Sequence, residues 1–261
     1  MKSELRTITP VWASKVLKDQ NTRNRAMNMK HVAKLAEEMR SGRWKVNGDS
    51  IRFDNHILID GQHRLAAVVM SGVTIQSFVT EGLPSDVFDT IDCVKIRSTG
   101  DTLGVRGEKN AYRLASMVAL TDRYMTGRGD KSVEYTNTEI EELLAKYPGI
   151  RESLQISFKA KGIMPPSLLD ACHYIFSQKN KLLADEFVSK VILGTGLEEG
   201  DPFYVLRERF VRNSISKAKL TKPYMLALCI KAWNYTRRGM KVRALRWRDT
   251  GEVAEPFPVA I

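Results

Sequence analysis

Three features are scarce in this 261-residue sequence: cysteines, long apolar runs and, toward its end, acidic residues. The three cysteines (Cys93, Cys172 and Cys229) are few, scattered and odd in number, which excludes a disulfide framework and predicts reduced thiols. No apolar run approaches the roughly twenty residues that span a bilayer, and no charged-then-apolar leader opens the chain. The sequence therefore predicts a cytoplasmic protein without a membrane partner, long enough for two domains.

Acidic residues are nearly missing from residues 207–248, where Glu208 is the only one. The net charge of +11 is concentrated in this window, which holds thirteen cations: Arg207, Arg209, Arg212, Lys217, Lys219, Lys222, Lys231, Arg237, Arg238, Lys241, Arg243, Arg246 and Arg248. Five aromatic residues are interleaved with them: Phe210, Tyr224, Trp233, Tyr235 and Trp247.

Cations that neutralise phosphates, combined with rings that stack on bases, are typical of nucleic-acid-binding segments. We therefore predict that DNA or RNA binds to the cations beyond the apolar face of the last helix: Arg237, Arg238, Lys241, Arg243, Arg246 and Arg248. The alternative interpretation is a solvated helix face whose aromatic residues pack inward, Trp233 among them.

A second feature is the pentapeptide Asp60-Gly61-Gln62-His63-Arg64, which lies between an apolar hairpin and a short helix that Gly72 ends. Gly61 can adopt backbone angles that other residues avoid, and the amides that follow would point out of the helix start. Such a start binds phosphate well. The alternative is a buried turn in which Asp60 caps the helix and pairs with Arg64.

The order of elements around this turn resembles the ParB/sulfiredoxin-like domain family over about residues 6–103. The similar features are an opening strand ending at Ile8-Thr9-Pro10, then Asn24-Arg25, a helix over residues 30–41, the hairpin, the turn, a strand near residues 73–80 and the segment over residues 91–101. The resemblance implies a mixed sheet with helices over residues 1–107. Helical periodicity and the basic window predict an all-α, basic domain over residues 108–261, so the fold class expected is α+β. Chains of this type occur in phages and plasmids.

The family also implies a nucleotide site at the turn, built here from Arg25, Gly61, Gln62, His63, Arg64 and Arg97. The expected ligand is a nucleoside triphosphate, ATP or CTP, with Mg²⁺. By the same resemblance, Asp60 and His63 are the candidate catalytic residues, Asp60 and Asp92 the candidate metal ligands, and Asp101 a third carboxylate.

The turn departs from each known type in the family. Sulfiredoxins have a cysteine where this chain has Gln62, so their cysteine chemistry is absent. Partition-type ParB proteins have Glu-Arg at the positions of Gln62 and His63 and bind CTP as a clamp switch. Free-serine kinases carry Asp-Gly-His-His-Arg, which is nearer to this turn.

Two classes of function stay open after these observations. One is an NTP-responsive, DNA-binding protein, in which a homodimer is an option. The other is a phosphate-acting enzyme, either a nuclease or a kinase, since a carboxylate and an imidazole suit acid–base work. A partner-binding protein that has lost the site is a third, less specific interpretation.

Apolar periodicity predicts helices over residues 109–124, 167–177, 181–193 and 223–238, with others beginning at Asn137 and Pro202. Residues 136–157 are long enough for a helix-turn-helix. Three acids there, Glu139, Glu141 and Glu142, argue against its reading a major groove.

Overall fold

The computed structural model describes residues 1–84, 97–156 and 163–261. The chain divides into two compact units, Met1–Lys95 and Ile96–Ile261. Residues 97–107, which the sequence assigned to the first domain, therefore belong to the second unit. The predicted α+β class is confirmed, because a mixed sheet and helices are both present.

The first unit combines a four-stranded sheet with helices. Its elements are β1 (Lys2–Ile8), α1 (Pro10–Asp19), α2 (Met29–Arg40), β2 (Ser50–Asp54), β3 (Ile57–Asp60), α3 (Gln62–Ser71) and β4 (Ile75–Glu81). The strand order is β1-β4-β2-β3. β4 pairs antiparallel with β1 and parallel with β2, and β2 forms the predicted antiparallel hairpin with β3.

The helices of the first unit follow from local sequence signals. The Asn28 side chain accepts a hydrogen bond from the His31 amide at 3.2 Å and so begins α2. The helix then buries Val32, Ala36 and Met39 at helical spacing, and it packs against α3. The resulting core packs against α3, which begins within the pentapeptide.

The described elements of the second unit are helices. They are α4 (Thr99–Val105), α5 (Ala111–Met125), α6 (Asn137–Lys146), α7 (Ile150–Ile156), α8 (Pro166–Ser177), α9 (Lys181–Val188), α10 (Pro202–Ile215) and α11 (Lys222–Arg237), with a π-helical turn at Ser189–Leu193. α8 is buried over nearly its whole length, as expected of an apolar helix at the centre of a core.

The core of the second unit is built around aromatic rings. Trp233 of α11 stacks on Phe176 of α8, with ring centroids 4.3 Å apart. Its indole Nε1 donates to the Ile261 carbonyl at 2.9 Å, and the Tyr124 hydroxyl accepts from the Ala260 amide at 2.9 Å. The C-terminal segment is therefore fastened to α5 and α11.

Most predicted helices are confirmed to within two residues at each end. The predicted helix over residues 181–193 instead ends as α9 at Val188 and continues as the π-helical turn. α1 and α4 were not predicted. Over the described ranges, none of the helices has both the length and the apolar composition needed to cross a membrane.

Candidate functional site

The pentapeptide forms a tight strand-to-helix turn, as predicted. β3 ends at Asp60, Gly61 has φ of 100°, and α3 begins at Gln62. A Cβ atom on Gly61 would lie 3.2 Å from the Ile51 Cγ1 atom and 3.3 Å from the Ile51 Cα atom. Both the positive φ and this close approach to β2 require glycine at position 61.

The Gln62 side chain connects a preceding loop to this turn through hydrogen bonds. Its buried side chain donates from Nε2 to the Arg25 carbonyl at 3.0 Å and accepts from the Asn21 Nδ2 atom at 3.3 Å. Asn24 extends the network by donating to the Asn21 Oδ1 atom and to the Leu58 carbonyl, each at 2.7 Å. The Gln62 side chain thus forms hydrogen bonds within the protein. Of this predicted nucleotide-binding residue, only the backbone amide lies at the helix start.

This amide network places Arg25 beside the turn. The Arg25 carbonyl is held by Gln62, while its side chain is exposed to solvent. Arg23, two residues earlier in the same loop, is also exposed. The predicted approach of Arg25 to the turn therefore has a structural basis in the side chains of Gln62, Asn21 and Asn24.

His63 is held by the start of α2. Its Nε2 atom accepts a hydrogen bond from the Asn28 amide at 3.0 Å, and its ring meets the His31 ring edge to face at 5.4 Å. An Nε2 atom that accepts is unprotonated, so the neutral ring carries its proton on Nδ1. The hydrogen bond from the Asn28 amide therefore fixes the His63 ring against the start of α2.

The two charged ends of the pentapeptide each have partners within the first unit. Asp60 Oδ2 accepts from Arg52 Nη1 at 2.8 Å across the hairpin. Arg64 Nη1 donates to the Asp49 carbonyl at 2.9 Å, and its guanidinium lies 5.9 Å from the Trp44 ring. Both side chains thus contribute to the fold around the turn in addition to any role toward a ligand.

The remaining predicted site residues are distributed differently. Asp92 lies outside the described residues. Asp101 accepts from the Ser98 amide at 2.9 Å in a capping box that begins α4, so this carboxylate has a structural use. Arg97 is exposed, immediately before that helix in the second unit. Across the described parts of the chain, no three His, Cys, Asp or Glu side chains are grouped as a metal site would require.

Six of the C-terminal cations form a group that we name the basic surface: Arg237, Arg238, Lys241, Arg243, Arg246 and Arg248. All six are exposed. Lys241 lies 4.0 Å from Glu198, and the Arg237 guanidinium lies 5.9 Å from the Trp233 ring. For Arg238, Arg243, Arg246 and Arg248, the described residues provide no ion-pair partner. Unbalanced exposed cations of this kind attract phosphates.

Several other cations of the same window serve the fold. Arg207 donates to the Ile192 carbonyl at 2.7 Å, at the end of the π-helical turn. Lys219 donates to the Ser214 carbonyl at 2.6 Å, at the end of α10, and Lys231 pairs with Glu255 at 2.5 Å. Eleven of the thirteen cations are exposed, so exposure alone does not separate the cations that serve the fold from those of the basic surface.

The aromatic side chains of this window pack inward, as the alternative interpretation predicted. Phe210, Trp233 and Trp247 are buried, and Tyr224 and Tyr235 are half-buried against the same core. Trp247 donates from Nε1 to the Glu255 carbonyl at 3.2 Å and packs edge to face on Phe257 at 5.2 Å. Because the C-terminal segment folds back over these rings, they belong to the core.

Ser153, His173 and Asp185 form a hydrogen-bonded chain that the sequence did not indicate. His173 Nδ1 lies 2.8 Å from the Ser153 hydroxyl and Nε2 lies 2.9 Å from Asp185 Oδ1. Burial lowers the pKa of His173, and the hydrogen bond to Asp185 opposes this only in part. The hydroxyl, however, is buried while the carboxylate is exposed, which is the reverse of a nucleophile's requirement. We interpret this hydrogen-bonded network of three side chains as structural.

Asp122 is a second polar centre inside the helical unit. Its carboxylate accepts hydrogen bonds from the Tyr147 hydroxyl at 2.7 Å and the Tyr135 hydroxyl at 2.8 Å, and it pairs with Arg128 and Lys146. Burial opposes the charge, but these donors outweigh it and lower the pKa of Asp122. Four donors leave little capacity for a ligand, so Asp122 joins α5 to α6. In the sequence, Asp122 could be recognised as a lone acid within an apolar helix pattern.

Residues that support the turn were also missed by the sequence reasoning. They are Asn21, Asn28 and Arg52, whose contacts with Gln62, His63 and Asp60 are described above. The only sequence feature that these three residues share is an amide or guanidinium side chain in a polar loop or on a strand.

Comparisons of the chain with protein-family models, with curated proteins and with solved structures gave no match.

Proposed function

We propose that this chain is a nucleic-acid-binding protein whose first unit is a ParB/sulfiredoxin-like domain with an NTP phosphate site and whose second unit is an all-α DNA-binding domain. The observation that carries the proposal is the basic surface, with four exposed arginines that lack ion-pair partners among the described residues. Exposed arginines in this number attract the phosphates of nucleic acid and release counterions on binding.

The turn supports the nucleotide part of the proposal. Gly61 directs the chain sharply from β3 into α3, and Arg25 is held beside the helix start with its guanidinium exposed. A helix start and an exposed guanidinium in the loop that Gln62 contacts are complementary to a triphosphate. In this proposal Mg²⁺ accompanies the phosphates, and Asp60 is the described carboxylate nearest in sequence to the helix start.

The second candidate is a phosphate-acting enzyme, either a nuclease or a kinase. It is favoured by Asp60 and His63, which place a carboxylate and an imidazole on the two sides of Gly61. The ion pair of Asp60 with Arg52 and the bond of His63 with Asn28 also give both side chains structural uses. Turnover of an NTP or nicking of DNA by the parent chain with Mg²⁺ would favour the enzyme, and binding without turnover would favour the switch.

The basic surface is tested by replacing Arg238, Arg243, Arg246 and Arg248 together with glutamine. Glutamine keeps much of each side chain's length and removes the charge, so we expect the variant to fold normally. For about six phosphate contacts, the affinity of the parent for duplex DNA should fall roughly a thousandfold between 50 and 200 mM salt. The variant should bind at least about tenfold more weakly at moderate salt, with a slope shallower by roughly 0.9 for each phosphate that it no longer neutralises.

The matched control replaces four other exposed cations, all lysines, with glutamine: Lys18, Lys45, Lys109 and Lys179. It lowers the net charge by the same amount at scattered positions. We expect the control to keep the parental salt slope. Equal losses of affinity in the two variants would mean that net charge alone matters, and parental binding by the arginine variant would remove the surface from the proposal.

The nucleotide site is tested by replacing Arg25 with alanine. The Arg25 side chain is exposed, so its removal should leave stability nearly unchanged. The absence of one charge-assisted hydrogen bond costs about 1.5–3 kcal/mol, which corresponds to roughly 10- to 100-fold weaker binding. The measurement is a calorimetric titration with each of the four NTPs and Mg²⁺, with and without DNA.

Arg23→Ala is the control for this variant, because Arg23 is equally exposed in the same loop. We expect it to bind nucleotide as the parent does. If the parent binds none of the four NTPs, the nucleotide part of the proposal is wrong. If Arg25→Ala binds as tightly as the parent, the site does not include Arg25.

A further inference from the structure

The window that carries the basic surface has no fully exposed aromatic ring. Its five aromatic side chains are buried or half-buried against the helical core, and residues 207–248 are all described. Stacking of bases on aromatic rings contributes about 1–3 kcal/mol per base in proteins that bind single strands. Residues 207–248 have no fully exposed ring that could provide this stacking energy.

The backbone under the cations is fixed by the same buried side chains. Leu245 and Trp247 are buried, and between and after them Arg246 and Arg248 are exposed. Trp247 Nε1 donates to the Glu255 and Pro256 carbonyls, and the Val242 amide donates to the Gly200 carbonyl at 2.9 Å. The Trp247 ring can reach a base only if its hydrogen bonds break and the ring leaves the core, whereas the arginines already face solvent.

We infer that the basic surface binds the phosphodiester backbone of a nucleic-acid duplex and recognises its charge, without stacking on or reading its bases. The inference rests on the proposed function and narrows it to one form of partner. A duplex carries one negative charge per about 1.7 Å of its axis, and each neutralised phosphate changes the salt slope more on a duplex than on a single strand. Four exposed arginines, on a segment whose tryptophan is buried, are suited to that target.

The experiment measures how much of the affinity for each nucleic-acid probe depends on the basic surface. The full chain, the quadruple glutamine variant and a quadruple lysine variant of the same four arginines are titrated into two duplexes of unrelated sequence and one single strand of equal length. The glutamine variant should lose affinity by the same factor, within about threefold, on both duplexes, and by a smaller factor on the single strand. The lysine variant keeps the charge but not the bidentate geometry that reads guanine, and it should bind both duplexes within about threefold of the parent.

Each other outcome has a distinct meaning. A loss of affinity confined to one duplex, or an equal loss in the lysine variant, would show that the arginines read bases and would overturn the inference. A larger loss on the single strand, with quenching of tryptophan fluorescence in the parent, would show base stacking and would also overturn it. Failure of the parent to bind any of the three probes would instead overturn the proposed function. The lysine variant keeps the test decisive if the glutamine variant does not fold.

Discussion

Replacing Arg113 with methionine should lower the free energy of unfolding by about 3–5 kcal/mol, because it removes a cation that is paired with a buried carboxylate. Asp170 on α8 is fully buried, and Arg113 on α5 is the cation paired with it. The Arg113 Nη2 atom lies 2.6 Å from Asp170 Oδ1 and also donates to the Leu154 carbonyl at 3.2 Å. Methionine fills much of the space but leaves the charge of Asp170 without this partner. Denaturant unfolding of the two proteins measures the difference.

The control is the double variant Arg113→Met, Asp170→Leu. It removes both charges and keeps an apolar pair of similar volume, so it should recover at least half of the stability lost in the single variant. A double variant as unstable as Arg113→Met would show that packing, and not the stranded charge, causes the loss. A single variant as stable as the parent would show that Asp170 does not depend on Arg113.

Replacing Trp247 with alanine should destabilise the protein by about 3–5 kcal/mol, the usual cost of deleting a buried aromatic ring. Trp247 lies between Tyr224 and Phe257, with ring centroids 5.8 and 5.2 Å away, and its indole nitrogen bonds to two carbonyls of the C-terminal segment. Its removal opens a cavity and releases that segment. Thermal and denaturant unfolding provide the measurement.

Arg248→Ala is the matched control, since it changes the next residue along the chain. Arg248 is exposed, so this substitution should change stability by no more than about 0.5 kcal/mol. The contrast between neighbouring positions distinguishes a core tryptophan from a surface ring in a basic segment. Similar small effects at both positions would contradict the burial of Trp247.

The basic window combines two uses of positive charge that the sequence does not separate. Arg207 and Lys219 donate to carbonyls at the ends of the π-helical turn and α10, where cations are favoured. Arg243, Arg246 and Arg248 face solvent on a segment fixed by buried neighbours. Cations of the second kind can bind a partner without loss of these hydrogen bonds, and the glutamine variant of the basic surface replaces exposed arginines alone.

The sequence by itself determined the features that depend on neighbouring residues. The turn at residues 60–64 could be predicted because a glycine stood between an apolar strand and an apolar helix, and φ of 100° at Gly61 agrees with that reason. α2, α5 and α11 could be predicted from the spacing of their apolar residues. α1 also carried local signals, Thr9 as a cap and Pro10 in the first turn.

Only the tertiary structure decided which side chains of these motifs face outward. Gln62 turns inward because Asn21 and the Arg25 carbonyl lie opposite it, and Asp60 meets Arg52 because β2 and β3 pair in that register. Trp247 is buried because the segment carrying Phe257 folds back onto it, while Arg246 and Arg248 beside it stay exposed. Each partner is brought close by the packing of separate segments, and a burial that depends on such packing leaves no signal in the residues on either side.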